Sequence, residues 1–386
     1  MTAPGRPGPV VLVTSKPVFH PRHYHLMARG LERAGLPVVV VGQPIPGHEP
    51  ESVPVEYLPA RRGRLARMLS GPAVLRRALR LRPSLLQVNS LELLPWGVLA
   101  RVVARVPVIY DSNEDYASYM LIKQWLPRPL RRPLSWLVGV LEPWLAARLD
   151  GMTVADTLTA ERFRRSGRRP VIVVHNFPWR SMAESPVSSQ WRYDVTYHGS
   201  LPPYHVDAIL ETARLLRERG LAVRWCLAAR EFSDAEQREL RERVAAAGLE
   251  REFTLLFNLP FGQMPELMAA TRLGFIPLPD TPKFRRNIPR KIFEFMGAGR
   301  PAVASDLPAT RRVVGDAGCC LLVAPGDERA YADGLERLLR DDALADELGR
   351  RGRLLIQQSL NAETQLDPYV RLCASLSGAL SDAGPS

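Results

Sequence analysis

The chain has 386 residues, 46% of them hydrophobic and 24% charged, with a formal net charge of +12. That length suits two ordinary domains, and the composition excludes a disordered, fibrous or collagen-like chain. The charge is uneven: residues 1–190 carry 26 Lys and Arg against 13 Asp and Glu, and the remainder 26 against 27. An anionic partner is therefore expected for the first half: a membrane surface, an anionic acceptor or nucleic acid.

In chain order, no apolar h-region precedes the first strand, so no signal peptide is expected. Val10–Thr14 is an apolar run that reads as a buried strand. A helical pattern over His20–Ala34 stops at Gly35, and Val38–Val41 reads as a second strand. The alternation continues with a helix near Arg64–Leu81, a strand at Leu85–Val88, a helix at Leu91–Arg105 and a strand at Val108–Tyr110. Val171–Val174 reads as the last strand of this half. Continuous β-branched runs between helices indicate a parallel sheet covered on both faces.

Residues 179–192 are polar, with a Ser-Pro-Val-Ser-Ser stretch, and read as a linker between a domain at 1–178 and a second at 193–360. The pattern then restarts with strand Asp194–His198, helix Val206–Glu218, strand Ala222–Ala228 and helix Ala235–Ala247. Strands follow at Phe253–Leu256, Leu273–Ile276 and Ala302–Ala304. Residues 327–357 look helical, and Ala362–Ser377, within a tail at 361–386, is an amphipathic helix. Adjacent Cys319 and Cys320 sit in an apolar strand-like run. With Cys226 and Cys373 they show no metal-ligand spacing and read as core residues in a reducing compartment.

The stretch from Ile288 to Asp306 carries the most chemistry. A cationic turn leads into a short helix with Lys291 and Glu294 three residues apart on one face. A helix N-terminus offers free N–H groups and a positive dipole to a phosphate. A cation beside a carboxylate suits a nucleoside diphosphate, with charge for the phosphates and acceptors for the ribose hydroxyls. The plain alternative is an exposed salt bridge contributing about 0.2–0.5 kcal/mol.

Pro289-x-Lys291-x-x-Glu294-x-Met296-x-Ala298-Gly299-x-Pro301 resembles the donor-site motif of group 1 (family 4) retaining glycosyltransferases. That resemblance implies an α/β GT-B fold: two Rossmann-like, doubly wound domains facing across a cleft, with the C-terminal helix crossing back to the first domain. The first domain would bind the acceptor and the second the nucleotide-sugar, which is a substrate, so no cofactor and no bound metal are implied. In this family the Glu of the motif holds the ribose and nearby cations hold the diphosphate. Carried onto this chain, Glu294, Arg285, Asn287, Ile288 and Arg290 are donor-side residues, with Lys291 and Arg286 acting on the reacting groups.

Three further segments match the family and depart from it. Tyr110-Asp-Ser-Asn-Glu-Asp-Tyr116 follows a strand and resembles the Tyr-Asp-x-His-Glu segment, with Asn113 in place of the usual His near the sugar. Asn binds a hydroxyl but does not titrate near neutral pH; the plain alternative is a helix N-cap. His198-Gly199-Ser200 ends a strand, and Ser200 and His205 stand roughly where the family places an Arg and a Lys. Arg286 stands where an upstream Glu is common. The loop after the first strand, Thr14 to Arg22, resembles the acceptor-side loop, so Lys16, Arg22, Asp111 and Glu114 are acceptor-side candidates. His20, His23 and His25 lack a nearby carboxylate or thiolate companion for a metal site.

Residues 121–149 combine three Trp, many Leu and basic residues, which suits either a membrane interface or an ordinary core-packing helix; Pro133, Glu142 and Pro143 oppose a spanning helix. Arg61, Arg62, Arg64 and Arg67 add to the basic first half. No zinc spacing, basic zipper or aromatic RNA-binding motif supports nucleic acid. The expectation is a cytoplasmic enzyme, peripheral on the inner face of the membrane, in cell-surface polysaccharide or glycoconjugate synthesis. Its acceptor would be a glycan, a lipid-linked molecule or a small molecule. The alternatives are a sugar-nucleotide epimerase and a catalytically impaired nucleotide-sugar-binding subunit.

Overall fold

A computed structural model describes residues 8–45, 50–59, 70–123, 126–165, 169–187, 190–230 and 232–379. The chain forms two compact units, Met1–Asn176 with Ala362–Ser386, and Phe177–Asn361. Arg61, Arg62, Arg64 and Arg67, the start of the helix expected near Arg64, Trp125, and Ser188 and Ser189 lie outside the described residues.

Unit 1 is a seven-stranded sheet: β1 (Val10–Pro17), β2 (Val38–Gln43), β3 (Val55–Tyr57), β4 (Leu85–Val88), β5 (Val108–Ser112), β6 (Gly151–Val154) and β7 (Val171–Val173). Its order is β3-β2-β1-β4-β5-β6-β7, and every neighbouring pair is parallel. Val10–Val13 lies in register with Val38–Val41 on one side and Leu85–Val88 on the other. These runs are almost uniformly apolar because helices cover both faces. The expected helix after β1 is broken in two: a π-helical turn at His23–Ala28 runs into an α-helical turn at Arg29–Arg33.

Unit 2 holds six parallel strands: β8 (Tyr193–Gly199), β9 (Trp225–Ala229), β10 (Phe253–Phe257), β11 (Thr271–Ile276), β12 (Ala302–Ser305) and β13 (Cys320–Val323). Their order is β10-β9-β8-β11-β12-β13. Trp225 stacks on Phe253 and meets Phe275 edge-on inside the core. In each sheet the order in which strands are added reverses once, between β1 and β4 and between β8 and β11, while the strands stay parallel. In open α/β sheets the crevice beyond the carboxyl ends at such a reversal is where ligands bind.

The closing helix Ala362–Leu376 belongs to unit 1. Tyr369 Oη donates to Gln87 Oε1 at 2.7 Å, and Gln365 exchanges two hydrogen bonds with the His175 backbone. The segment after Phe177 belongs to unit 2: Ala183 is buried, and its carbonyl accepts from Arg353 Nε and Gln357 Nε2 at 2.8 Å each. Arg128–Ala146 is one 19-residue helix that accommodates Pro133 and Pro143. Among the described residues no helix is long and apolar enough to cross a membrane.

Candidate active site

The carboxyl end of β8 is shaped by Gly199, whose φ of +109° is a conformation that side-chain-bearing residues avoid. A Cβ there would also lie 3.6 Å from Lys291 Nζ. The chain then turns through Pro202 into the helix Pro203–Glu218. Arg230, at the exit of the adjacent strand β9, donates its backbone N–H to Gly199 O at 3.1 Å. Three expected residues, Gly199, Ser200 and His205, thus surround one strand exit. Tyr197 Oη organises them, 2.6 Å from both Ser200 O and His205 Nδ1.

The helix Arg290–Gly297 faces this exit. It packs Ile292, Phe293, Phe295 and Met296 into the core, which fixes its rotation. Pro289 caps it without a side-chain hydrogen bond, and its carbonyl accepts from the Ile292 N–H at 3.1 Å. Lys291 Nζ lies 4.0 Å from the Tyr197 ring centroid. Glu294 is buried, with Oε1 3.0 Å from Arg290 Nε and Oε2 3.3 Å from His198 Nε2. Neither approach is aligned as a hydrogen bond. Both Glu294 oxygens, His198 Nε2, His205 Nε2, Arg230 Nε and Asn287 Oδ1 are buried with no hydrogen-bond partner within the protein. Buried polar atoms are nearly always paired, so a cluster of unpaired ones asks for an explanation.

The electrostatics are set by burial and mutual charge. Burial, reinforced by Arg230 and Arg290 and opposed by Glu294, lowers the Lys291 ammonium to about 7. Burial lowers His198 to about 3, against the pull of Glu294, and burial with the Lys291 charge lowers His205 to about 3. Both imidazoles are neutral. Burial raises Glu294, but Arg290, His198, Arg230 and Lys291 together overcome it and hold the carboxyl below its ordinary range. The result is an ionised carboxylate under a cluster of cations. Such an arrangement offers acceptors for hydroxyls at one end and positive charge for an anion at the other.

The cationic turn divides. Arg285 is exposed and tied bidentately to Asp280, at 2.5 and 2.6 Å, so it does not lend a free guanidinium to Lys291. Arg286 is exposed in the same turn. Ile288 packs against the core, and Arg290 lies 5.1 Å from the Phe261 ring centroid. Arg230 was not singled out from sequence. Its signal is position alone, as the first residue after a central strand.

In unit 1 the acceptor-side candidates part company. Arg22 and Asp111 are both buried and saturate one another. Arg22 Nε and Nη2 donate to Asp111 at 2.7–3.1 Å, and Nη1 donates to Val174 O and to Asn176 Oδ1. Thr153 Oγ1 donates to Asp111 at 2.6 Å, and His23 Nε2 lies 3.4 Å from it. Burial opposes ionisation of Asp111, but Arg22 and His23 hold the carboxyl far below its ordinary range. This pair is a structural pin between the β1 exit, β5, β6 and β7, with both side chains buried and hydrogen-bonded within the unit. Lys16, Asn113 and Glu114 are half-buried. Asn113 Oδ1 accepts from Tyr116 Oη at 2.8 Å, which leaves the amide nitrogen for another group.

The family model described as "Glycosyl transferases group 1" matches residues 192–341, and that described as "Glycosyl transferase 4-like domain" matches residues 21–177. EpsD of Bacillus subtilis (strain 168), named as a glycosyltransferase, is 24% identical over 301 residues, 71% of this chain and 73% of EpsD. Sucrose-phosphate synthase from Thermosynechococcus elongatus superposes with a TM-score of 0.71 at 17% identity, covering 96% of this chain and all of that one. Anabaena HepE in complex with UDP and glucose gives 0.67 at 17% identity, covering 97% of this chain and all of that one. Both structures show the GT-B fold.

Proposed function

Because this chain belongs to the group 1 glycosyltransferases, we propose that it is a retaining enzyme that moves a sugar from a nucleoside-diphosphate sugar to a glycan, lipid-linked or small-molecule acceptor in cell-surface polysaccharide or glycoconjugate synthesis. The observation that carries this reading is the buried carboxylate of Glu294, whose oxygens make no hydrogen bond within the protein, set among Lys291, Arg290 and Arg230 at the β8 exit. HepE, which shares the fold, is seen with UDP and glucose, in keeping with a nucleotide-sugar donor.

In this proposal Glu294 accepts the ribose hydroxyls. Lys291, Arg230 and the backbone at Gly199–Ser200 face the diphosphate. As the bond from the anomeric carbon to the phosphate oxygen breaks, negative charge grows on the β-phosphate. Fixed donors aimed at that oxygen lower the barrier. The acceptor hydroxyl forms its bond on the same face and passes its proton to the departing phosphate, so configuration is kept without a protein nucleophile. The chemistry draws on side chains and backbone, with the nucleotide-sugar as substrate, and the enzyme works in the cytoplasm at the inner face of the membrane. Neither alternative, the epimerase or the impaired binding subunit, has a specific observation in its favour.

The test is thermal-shift screening against nucleotide-sugars, followed by assignment of the product anomer by NMR. Stabilisation by one nucleotide family is expected, because ligand binding to the folded state raises apparent stability. No shift with any nucleotide-sugar would overturn the donor site, and an inverted product would overturn the retaining route.

A further inference from the structure

The helix Arg128–Ala146 of unit 1 has two unlike faces. Inward, Glu142 is fully buried and accepts from Tyr110 Oη and Ser112 Oγ at 2.8 Å each, while Arg162 Nη2 lies 2.5 Å away. Ser112 immediately precedes Asn113, so this carboxylate fastens the helix to the strand end that carries the candidate expected near the sugar. Outward, Trp136 is 70% and Trp144 54% exposed, with Leu137, Val140 and Leu141 exposed between them. That spacing places all five on one helical stripe. The helix Leu94–Val103 packs beside it and leaves Val102 and Val103 about as exposed.

Exposed apolar residues grouped in this way mark an interaction surface. The flanking charge selects its partner. At the amino end of the stripe Arg128, Arg131 and Arg132 line an open depression of about 610 Å³ with Leu121 and Pro129. At the other end the Arg148 guanidinium lies 3.3 Å from the Trp144 ring centroid. Tryptophan flanked by arginine fits the headgroup layer of a bilayer, where the ring sits at the interface and the cation meets lipid phosphate. A second copy would bring the same sign of charge from a half that already carries the whole positive excess.

We propose that the outer face of the Arg128–Ala146 helix is a docking surface for an anionic lipid bilayer, lying flat on it. The proposal rests on the transferase reading only for its consequence, that the acceptor is a lipid-linked one met at the bilayer.

The test is sedimentation of the full chain with vesicles of phosphatidylcholine containing phosphatidylglycerol, and with phosphatidylcholine alone. Binding to the anionic vesicles, weakened by salt, is expected. A variant with Trp136→Ser and Trp144→Ser should lose about tenfold or more in partitioning. A variant with Arg128→Glu and Arg132→Glu should lose the preference for anionic lipid. Both substitution sets lie on exposed positions, and both variants should keep the thermal shift given by nucleotide-sugars. A wild type that shifts with no nucleotide-sugar but binds vesicles would remove the transferase reading and leave the docking surface standing. Docking is overturned if the wild type stays in the supernatant, if the variants sediment like it, or if the wild type is a dimer that the tryptophan variant converts to monomers.

Discussion

Lys291 Nζ stands over the Tyr197 ring, 4.0 Å from its centroid, and the Tyr197 hydroxyl is itself fixed by Ser200 O and His205. The ring holds the ammonium at the β8 exit, and burial leaves it poorly solvated. A cation placed in this way interacts more strongly with a developing phosphate charge than one in water. Lys291→Ala should therefore raise the barrier by about 2.7–4 kcal/mol, the loss expected for one such donor. Steady-state turnover and a thermal melt would check this. Unchanged turnover in a folded variant would remove Lys291 from the mechanism.

The same burial makes donor binding depend on pH. The Lys291 pKa is about 7 in the folded chain against an ordinary 10.5. Below pH 7 the group is protonated in both folded and unfolded states. Between pH 7 and 10.5 only the unfolded state binds that proton, so the unliganded protein gains stability from this group as pH rises through the window. A bound diphosphate favours the charged form and reverses the preference. Nucleotide affinity should therefore fall as pH rises above 7, with proton uptake on binding. Calorimetry in buffers of differing ionisation enthalpy measures that uptake. Lys291→Arg, charged throughout, should flatten the profile; an equally steep profile in that variant would assign the titration elsewhere.

Glu294→Gln isolates the carboxylate while keeping its shape. Hydrogen bonds to a charged group contribute about 1.5–3 kcal/mol, so affinity for a nucleoside diphosphate should fall roughly 10- to 150-fold. A 2′,3′-dideoxy nucleotide should lose much less, because it has no hydroxyls to offer. If both nucleotides lose affinity equally, Glu294 acts through the cations around it and not on the ribose.

Much of this arrangement was legible in the sequence because it is local. Lys291 and Glu294 are three residues apart, and helix geometry alone puts them together. Gly199 ends a strand whose apolar run is plain. The parallel sheets followed from Val10–Val13, Val38–Val41 and Leu85–Val88, which are apolar on both faces because both faces are covered. The illegible parts are long-range or short. Arg230 joins the site only because β9 pairs with β8. Arg285 is held by Asp280, five residues earlier, a pairing that the motif does not show. β3, Val-Glu-Tyr, and β6, Gly-Met-Thr-Val, carry a charge or a glycine and a threonine where the equally short β7 is wholly Val and Ile and β4 is Leu and Val but for Gln87, so neither stands out as an apolar run. The Arg128–Ala146 helix was masked by its two prolines, and its buried Glu142 reads as a surface charge until Tyr110 and Ser112 are brought to it.

Arg22 gives the sharpest contrast between a local and a tertiary reading. Its place in the loop after β1 suggested contact with the acceptor, yet Asp111, Val174 and Asn176 take up its guanidinium, and Asp111 is 89 residues away. Arg22→Ala would leave Asp111 ionised and buried beside only Thr153 and His23. Breaking one partner of a buried pair costs about 3–5 kcal/mol. The midpoint of chemical denaturation should fall by a corresponding amount, while nucleotide affinity, a property of unit 2, should stay as it is in the folded fraction. A joint Arg22→Met and Asp111→Leu replacement should recover part of the loss, because it removes both buried charges, although Thr153 and the Val174 carbonyl then lose partners. A raised acceptor KM with an unchanged midpoint would return Arg22 to the acceptor side, because a residue whose only work is to pin four strands together has no route to KM that leaves stability untouched.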